Sequence, residues 1–175
     1  MATANDGALR EHLLQLLRGG GAHARSEEVI GEFPADLVNE EVEGVPYTAW
    51  RVLEHMRIAQ WDILEFSRGP GHVSPDWPEG YWPAPGARAD EAAWRRSAEQ
   101  FLADRREMEA LVADEARDLY EPFAHGEGQT LLREALLVAD HNAYHLGVLV
   151  TLRRAVEAGR GGGAAGRGAE PLPRH

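Results

Sequence analysis

The sequence predicts an all-α protein, a four-helix bundle with long interhelical connections and a disordered C-terminal tail. Four long stretches carry apolar residues three or four positions apart, which is the spacing of one helix face. Segments rich in Gly and Pro separate them, and such residues end helices. No stretch shows the strict apolar–polar alternation of a half-buried strand. Four amphipathic helices in a chain of 175 residues bury their apolar faces most simply by packing together.

The first long helix is predicted over residues 6–18. Its apolar stripe comprises Leu9, Leu13, Leu16 and Leu17. The run Gly19-Gly20-Gly21 ends it, because glycine readily adopts the left-handed conformation found at helix C-termini. A short helix is predicted next over residues 26–33, with Ser26 as its N-cap, and Pro34 ends it.

The second long helix is predicted to start at residue 47 or 48 and to end at residue 67. Its apolar arc is wide, as expected for a bundle helix that contacts more than one neighbour. His55 lies in the middle of this helix. Its face is shared by the apolar residues Val52, Ala59 and Phe66. We therefore expect His55 to point into the bundle.

A connection rich in Pro and Gly follows over residues 68–89, and its proline density excludes a helix. A linker of this length is usually functional or packed against the domain. Its aromatic residues are Trp77, Tyr81 and Trp82. We interpret it as a surface loop that these aromatics pin to the bundle. The alternative is a loop that walls a pocket or meets a partner subunit.

The third long helix is predicted over residues 90–113. Its apolar stripe comprises Trp94, Ala98, Phe101, Met108 and Val112. Arg105 falls on the same stripe, where it could extend its charged end to solvent or face a polar cavity and contact an anionic substrate.

The fourth long helix is predicted over residues 130–157, after a further connection over 114–129. The last residues, 158–175, are rich in Gly, Ala and Arg and have almost nothing to bury, so we expect them to be disordered. The predicted domain organisation is therefore a bundle over 6–157 followed by a tail over 158–175.

The composition limits the possible functions. The net charge of −11 disfavours nucleic-acid binding, which needs clustered basic residues. The chain has no cysteine, which excludes disulfides, cysteine-ligated metals and a cysteine nucleophile. No apolar run approaches the roughly 18 residues of a membrane span. The N-terminus lacks the basic-then-apolar form of a signal peptide, so we expect a cytoplasmic protein with no membrane partner.

The most informative motif is His141-Asn142-Ala143-Tyr144-His145, inside the fourth helix. Four-residue spacing places His141 and His145 on one helix face, which is otherwise apolar. His55 is the third inward-facing histidine of the chain. Three imidazoles can hold a transition metal and leave a coordination position open. The alternative is that these histidines only pack and hydrogen-bond in the core.

Other polar residues receive simpler interpretations. His12 is predicted to be solvated, and His72 and His125 are predicted to be loop residues. Asp62 shares the face of His55 but lies two helical turns away, about 10 Å, which is too far for direct contact. Asn142 is expected to pack between helices rather than to orient a ligand.

The stretch from Trp50 to Trp61 (WRVLEHMRIAQW) and the stretch from Asp140 to Gly147 (DHNAYHLG) together resemble the DinB/YfiT-like superfamily. The likeness covers roughly residues 6–157. It implies a four-helix bundle, a divalent metal that is commonly zinc or nickel, and a homodimer. The family's three metal-ligand positions fall on His55, His141 and His145.

The resemblance leaves the reaction open. Some relatives transfer or isomerise with a low-molecular-weight thiol, and others are described as metal-dependent hydrolases. Our first hypothesis is therefore an enzyme in which the metal activates a small-molecule thiol or water, although no side chain is an obvious general base. The alternative is a non-catalytic stress-response or binding protein whose metal is structural or sensory.

Overall fold

The computed structural model describes residues 4–161. This region contains the five α-helices α1 (Ala4–Arg18), α2 (Ser26–Gly31), α3 (Ala49–Arg68), α4 (Glu91–Ala113) and α5 (Leu131–Gly161). It also contains two short 3-10 turns, Ala35–Leu37 and Glu79–Tyr81. Within these residues there is no strand, only one isolated bridge between Pro122 and Thr130. The predicted all-α class is confirmed, with α1, α3, α4 and α5 as the four long helices.

The helix boundaries follow local sequence signals. The Thr48 hydroxyl accepts a hydrogen bond from the backbone N–H of Arg51 at the start of α3. Asp90 does the same for Ala93 at the start of α4, at 2.7 Å. The prediction for Ser26 is wrong, because the N-cap position of α2 belongs to Arg25 and Ser26 is a buried helical residue.

The last helix is longer than predicted. It ends at Gly161, so residues 158–161, which we had assigned to the tail, are helical. The remainder of the predicted disordered tail, 162–175, lies outside the described residues.

Buried apolar residues form two clusters, one toward each end of the bundle. The first includes Val52, Leu53, Met56, Phe101 and Leu149. The second includes Leu13, Leu64, Met108, Leu119 and Val138. Along α3 and α4 the first cluster precedes the second, whereas along α5 the order is reversed. α3 and α4 are therefore parallel to each other, and α5 is antiparallel to both.

This topology explains the long connection between α3 and α4. Parallel neighbours cannot be joined by a tight turn, because the chain must return along the bundle before the next helix begins. α3 has 20 residues and is therefore about 30 Å long. The connection over 69–90 makes this return and crosses α3 on the way, where Tyr81 hydrogen-bonds to His55 and Asp62.

Hydropathy gives one further finding. Among residues 4–161, no helix combines the length and the apolar character that crossing a bilayer would require.

Candidate metal centre

The three inward-facing histidines meet in the interior of the bundle. His55 comes from α3, and His141 and His145 come from α5. The Nε2 atoms of His55 and His141 are 3.1 Å apart. One ring nitrogen from each of the three side chains lies within 4.8 Å of the other two. The structure thus brings together all three residues that the sequence singled out.

A backbone carbonyl fixes the tautomer of His55. Its Nδ1 lies 2.9 Å from the carbonyl oxygen of Tyr81. A carbonyl oxygen can only accept a hydrogen bond, so Nδ1 carries the proton and donates it. The lone pair of His55 is then on Nε2, which is the atom that faces His141.

Aromatic stacking fixes the plane of the same ring. Trp82 lies parallel to His55, with ring centroids 3.8 Å apart and an interplanar angle of 3°. Tyr47 in turn stacks on Trp82, with ring centroids 4.6 Å apart. The guanidinium of Arg51 lies within 6 Å of both aromatic rings, at 5.9 Å from Tyr47 and 5.8 Å from Trp82. His55 therefore has little freedom to rotate away from the cluster.

The three imidazoles are neutral near pH 7. Burial lowers the pKa of His141 to about 4, and repulsion from a protonated His55 contributes to the shift. Burial, with repulsion from His141 and His55, lowers the pKa of His145 to about 3. Burial also lowers the pKa of His55, against the opposing effect of its bond to Tyr81. Each of the three rings consequently keeps a lone pair that it can donate to a metal ion.

The donor set fits a transition metal. His145 Nδ1 is buried and has no hydrogen-bond partner among residues 4–161, which is costly for a polar atom unless something else satisfies it. Three neutral imidazoles suit zinc, nickel, iron or copper rather than calcium or magnesium. A cation between the rings would also satisfy the facing nitrogens of His55 and His141.

Sequence reasoning missed a hydrogen-bonded group beside this cluster. Asp62 is buried and accepts hydrogen bonds from the Tyr81 hydroxyl and from His72 Nε2, each at 2.6 Å. Burial and the neighbouring carboxylate raise the pKa of Tyr81 to about 12, so its hydroxyl remains protonated. Asp62 does not touch His55, as its spacing predicted. It anchors Tyr81, whose backbone carbonyl accepts the hydrogen bond from His55. His72 lies in a loop, as predicted, and its hydrogen bond to Asp62 is a contact that the sequence did not indicate.

An open cleft of about 530 Å³ leads to the histidines. Its walls come from α3, from α5 and from the connection between α3 and α4. The lining residues include His55, Asp62, Trp77, Tyr81, Asp140, His141, Tyr144 and His145. The connection is thus more than the packed surface loop that we favoured, since Trp77 and Tyr81 wall the cleft. No periodic pattern in a proline-rich segment could have indicated this.

Two further predictions are settled by contacts outside the cleft. Arg105 is 4% exposed and forms ion pairs with Glu27 and Glu109, so the suggested contact with an anionic substrate is wrong. Asn142 is buried and donates a hydrogen bond to Gln60 at 2.8 Å, so it packs between α5 and α3 as predicted, and its side chain also interacts with His141.

The fold and the site together define a class of protein: a helical bundle with a partly buried three-histidine cluster at the wall of an open cleft. A family model described as the DinB superfamily matches residues 20–149. The chain therefore belongs to the DinB superfamily. Neither a curated protein nor a solved structure matches the chain.

Proposed function

We propose that His55, His141 and His145 bind one divalent transition metal, zinc or nickel, and that the protein is a metal-dependent enzyme of the thiol transferase or hydrolase type. The observation that carries this proposal is the convergence of three neutral imidazoles at the wall of an open cleft. Catalytic metal sites keep a coordination position open in this way, whereas structural sites are closed by protein ligands.

The residues around the cluster have distinct roles in this proposal. A bound metal would supply a Lewis acid that lowers the pKa of a thiol or a water molecule. Tyr81 and Trp82 hold His55 in the orientation that presents Nε2. Asp62 lines the cleft, but Tyr81 and His72 already occupy its two oxygens, so it is not a free general base. A thiol loses its proton more easily than water and so depends less on a general base, which favours thiol transfer over hydrolysis.

A direct test compares two reactions with the same metal-loaded protein. A small thiol and an aryl halide test thiol transfer, and an activated ester tests hydrolysis. We expect metal-dependent turnover in at least one assay, abolished by His145→Ala and retained by His125→Ala, because His125 lies outside the cluster and bonds to the carbonyl of Phe66. Full metal loading without turnover in either assay would favour a non-catalytic role.

The stacked tryptophan supports a second prediction. Trp82→Ala is expected to weaken metal affinity about tenfold, since groups that orient metal ligands typically contribute 10- to 100-fold. Trp82→Phe keeps a stacking ring and should recover most of the affinity. Competition with a chromophoric chelator measures the dissociation constants. The control is Trp77→Ala in the same connection, whose ring contacts Tyr81 rather than a histidine of the cluster. Equal losses in Trp82→Ala and Trp77→Ala would contradict the orienting role.

We also propose a homodimer, on family resemblance alone. Light scattering of the purified protein measures the mass, and a monomer at micromolar concentration would contradict the dimer.

A further inference from the structure

The cleft beside the histidines has a rim of exposed aromatic rings. Trp77 and Tyr144 are 74% and 71% exposed, and both line the cleft. Among the described residues the one other aromatic side chain with comparable exposure is Tyr120, which is not part of it. Large exposed apolar groups that gather at one concave site are typical of ligand binding.

Neighbouring rings hold the two rim residues in place. Trp77 meets Tyr81 edge to face, with centroids 5.3 Å apart. Tyr144 meets His145 edge to face, at 4.9 Å. Trp77 belongs to the connection and Tyr144 to α5, so the rim has aromatic surface on two different elements. Rings that are already positioned can cover a flat ligand at a small entropic cost.

The carboxylates that line the cleft are not balanced by basic side chains. Of the residues that the structure describes, Asp62 and Asp140 line the cleft and no arginine does, and the chain has no lysine. Arg51, the nearby cation, lies against Tyr47 and Trp82 and donates to the carbonyls of Pro46 and Pro83. A carboxylate or phosphate on the body of a ligand would therefore meet negative charge, and no arginine or lysine side chain among the described lining residues would pair with it.

We propose that the ligand of this cleft is a small molecule with a flat aromatic body that carries no carboxylate or phosphate, and that Trp77 and Tyr144 recognise this body while its reactive group faces His55, His141 and His145. The inference rests on the proposed function, because the reactive group is taken to be a thiol at the metal site. It narrows that function by excluding thiols whose body is anionic.

Calorimetric titration of the zinc-loaded, full-length protein under anaerobic conditions tests the inference. The probes are benzyl mercaptan, 4-(mercaptomethyl)benzoate, 4-(aminomethyl)benzyl mercaptan and 2-mercaptoethanol. We expect benzyl mercaptan to bind about tenfold more tightly than 2-mercaptoethanol, from the burial and stacking of its ring. The benzoate should bind several-fold more weakly than benzyl mercaptan, whereas the aminomethyl probe should bind at least as tightly as benzyl mercaptan.

Matched variants assign the effect to residues. Trp77→Ala and Tyr144→Ala should each reduce the preference for benzyl mercaptan over 2-mercaptoethanol, while Tyr120→Ala, an exposed aromatic outside the cleft, should leave it unchanged. Asp140→Asn removes an exposed charge and should narrow the gap between the benzoate and benzyl mercaptan. Zinc content is measured for each variant, so that a change in affinity is not a change in loading.

The outcomes separate the inference from the proposed function. Zinc-loaded protein that binds all four thiols with equal affinity would overturn the inference and leave the metal–thiol function standing. Zinc-loaded protein that binds none of them would overturn the inference together with the thiol-transferase form of the proposed function. A preference for the benzoate over the aminomethyl probe would also overturn the inference, because the described residues that line the cleft include no arginine or lysine to favour the carboxylate.

Discussion

Protein reconstituted with excess Zn²⁺ or Ni²⁺ and then desalted is expected to retain about one equivalent of metal, as a single three-imidazole site requires. The His145→Ala variant is expected to retain almost none. Removing one of three imidazoles leaves two protein ligands, and the affinity should fall by on the order of a hundredfold or more, given the large binding free energies of multi-ligand sites. Elemental analysis beside protein quantitation measures the ratio.

The control for this experiment is a histidine outside the cluster. His125 is exposed, stacks on Phe123 and bonds to the carbonyl of Phe66, so His125→Ala should retain the metal. His55→Ala and His141→Ala should behave like His145→Ala. Metal absent from the wild type after reconstitution, or present equally in all variants, would contradict the proposed site.

The histidine cluster could be predicted because its determinants are local. Four-residue spacing on a helix places His141 and His145 on one face, whatever the rest of the fold does. The same periodicity predicted that His55 points inward. What the sequence could not provide was the direction of α3 relative to α5, which depends on packing between segments far apart in the chain. The two apolar clusters of the structure establish the antiparallel arrangement.

The residues that support the cluster were not predictable for a related reason. Tyr81 and Trp82 lie in a proline-rich connection, where no periodicity indicates which way a side chain or a carbonyl points. Tyr81 contributes its backbone carbonyl to His55, and any residue type has a carbonyl. Arg105 was misinterpreted because its stripe position shows only that it points inward. Its partner Glu27 comes from α2, 78 residues earlier in the chain.

The metal-free protein is expected to lose stability as the pH falls from 7 to 5. The folded state lowers the pKa of His141 from 6.5 to about 4 and that of His145 from 6.5 to about 3. Between these values and 6.5, the unfolded chain binds protons that the folded chain does not. The contribution of these two histidines to the free energy of unfolding is therefore fully present above about pH 6.5 and is lost progressively as the pH falls. At pH 5 each of the two histidines should lower the free energy of unfolding by at most about 2 kcal/mol, at 1.36 kcal/mol per pKa unit.

Urea unfolding at pH 7 and pH 5, in the presence of a chelator, measures this loss. Stopping at pH 5 limits the contribution of buried carboxyls, because burial raises the pKa of Asp104 and Glu134 and their protonation favours the folded state as the pH falls. His145→Asn should reduce the difference between the two pH values, since it removes a group that is protonated on unfolding. His12→Asn should not, because His12 is exposed. A wild-type protein equally stable at both pH values would mean that the folded and the unfolded protein take up the same number of protons between pH 7 and pH 5, which would contradict the lowered pKa values of His141 and His145.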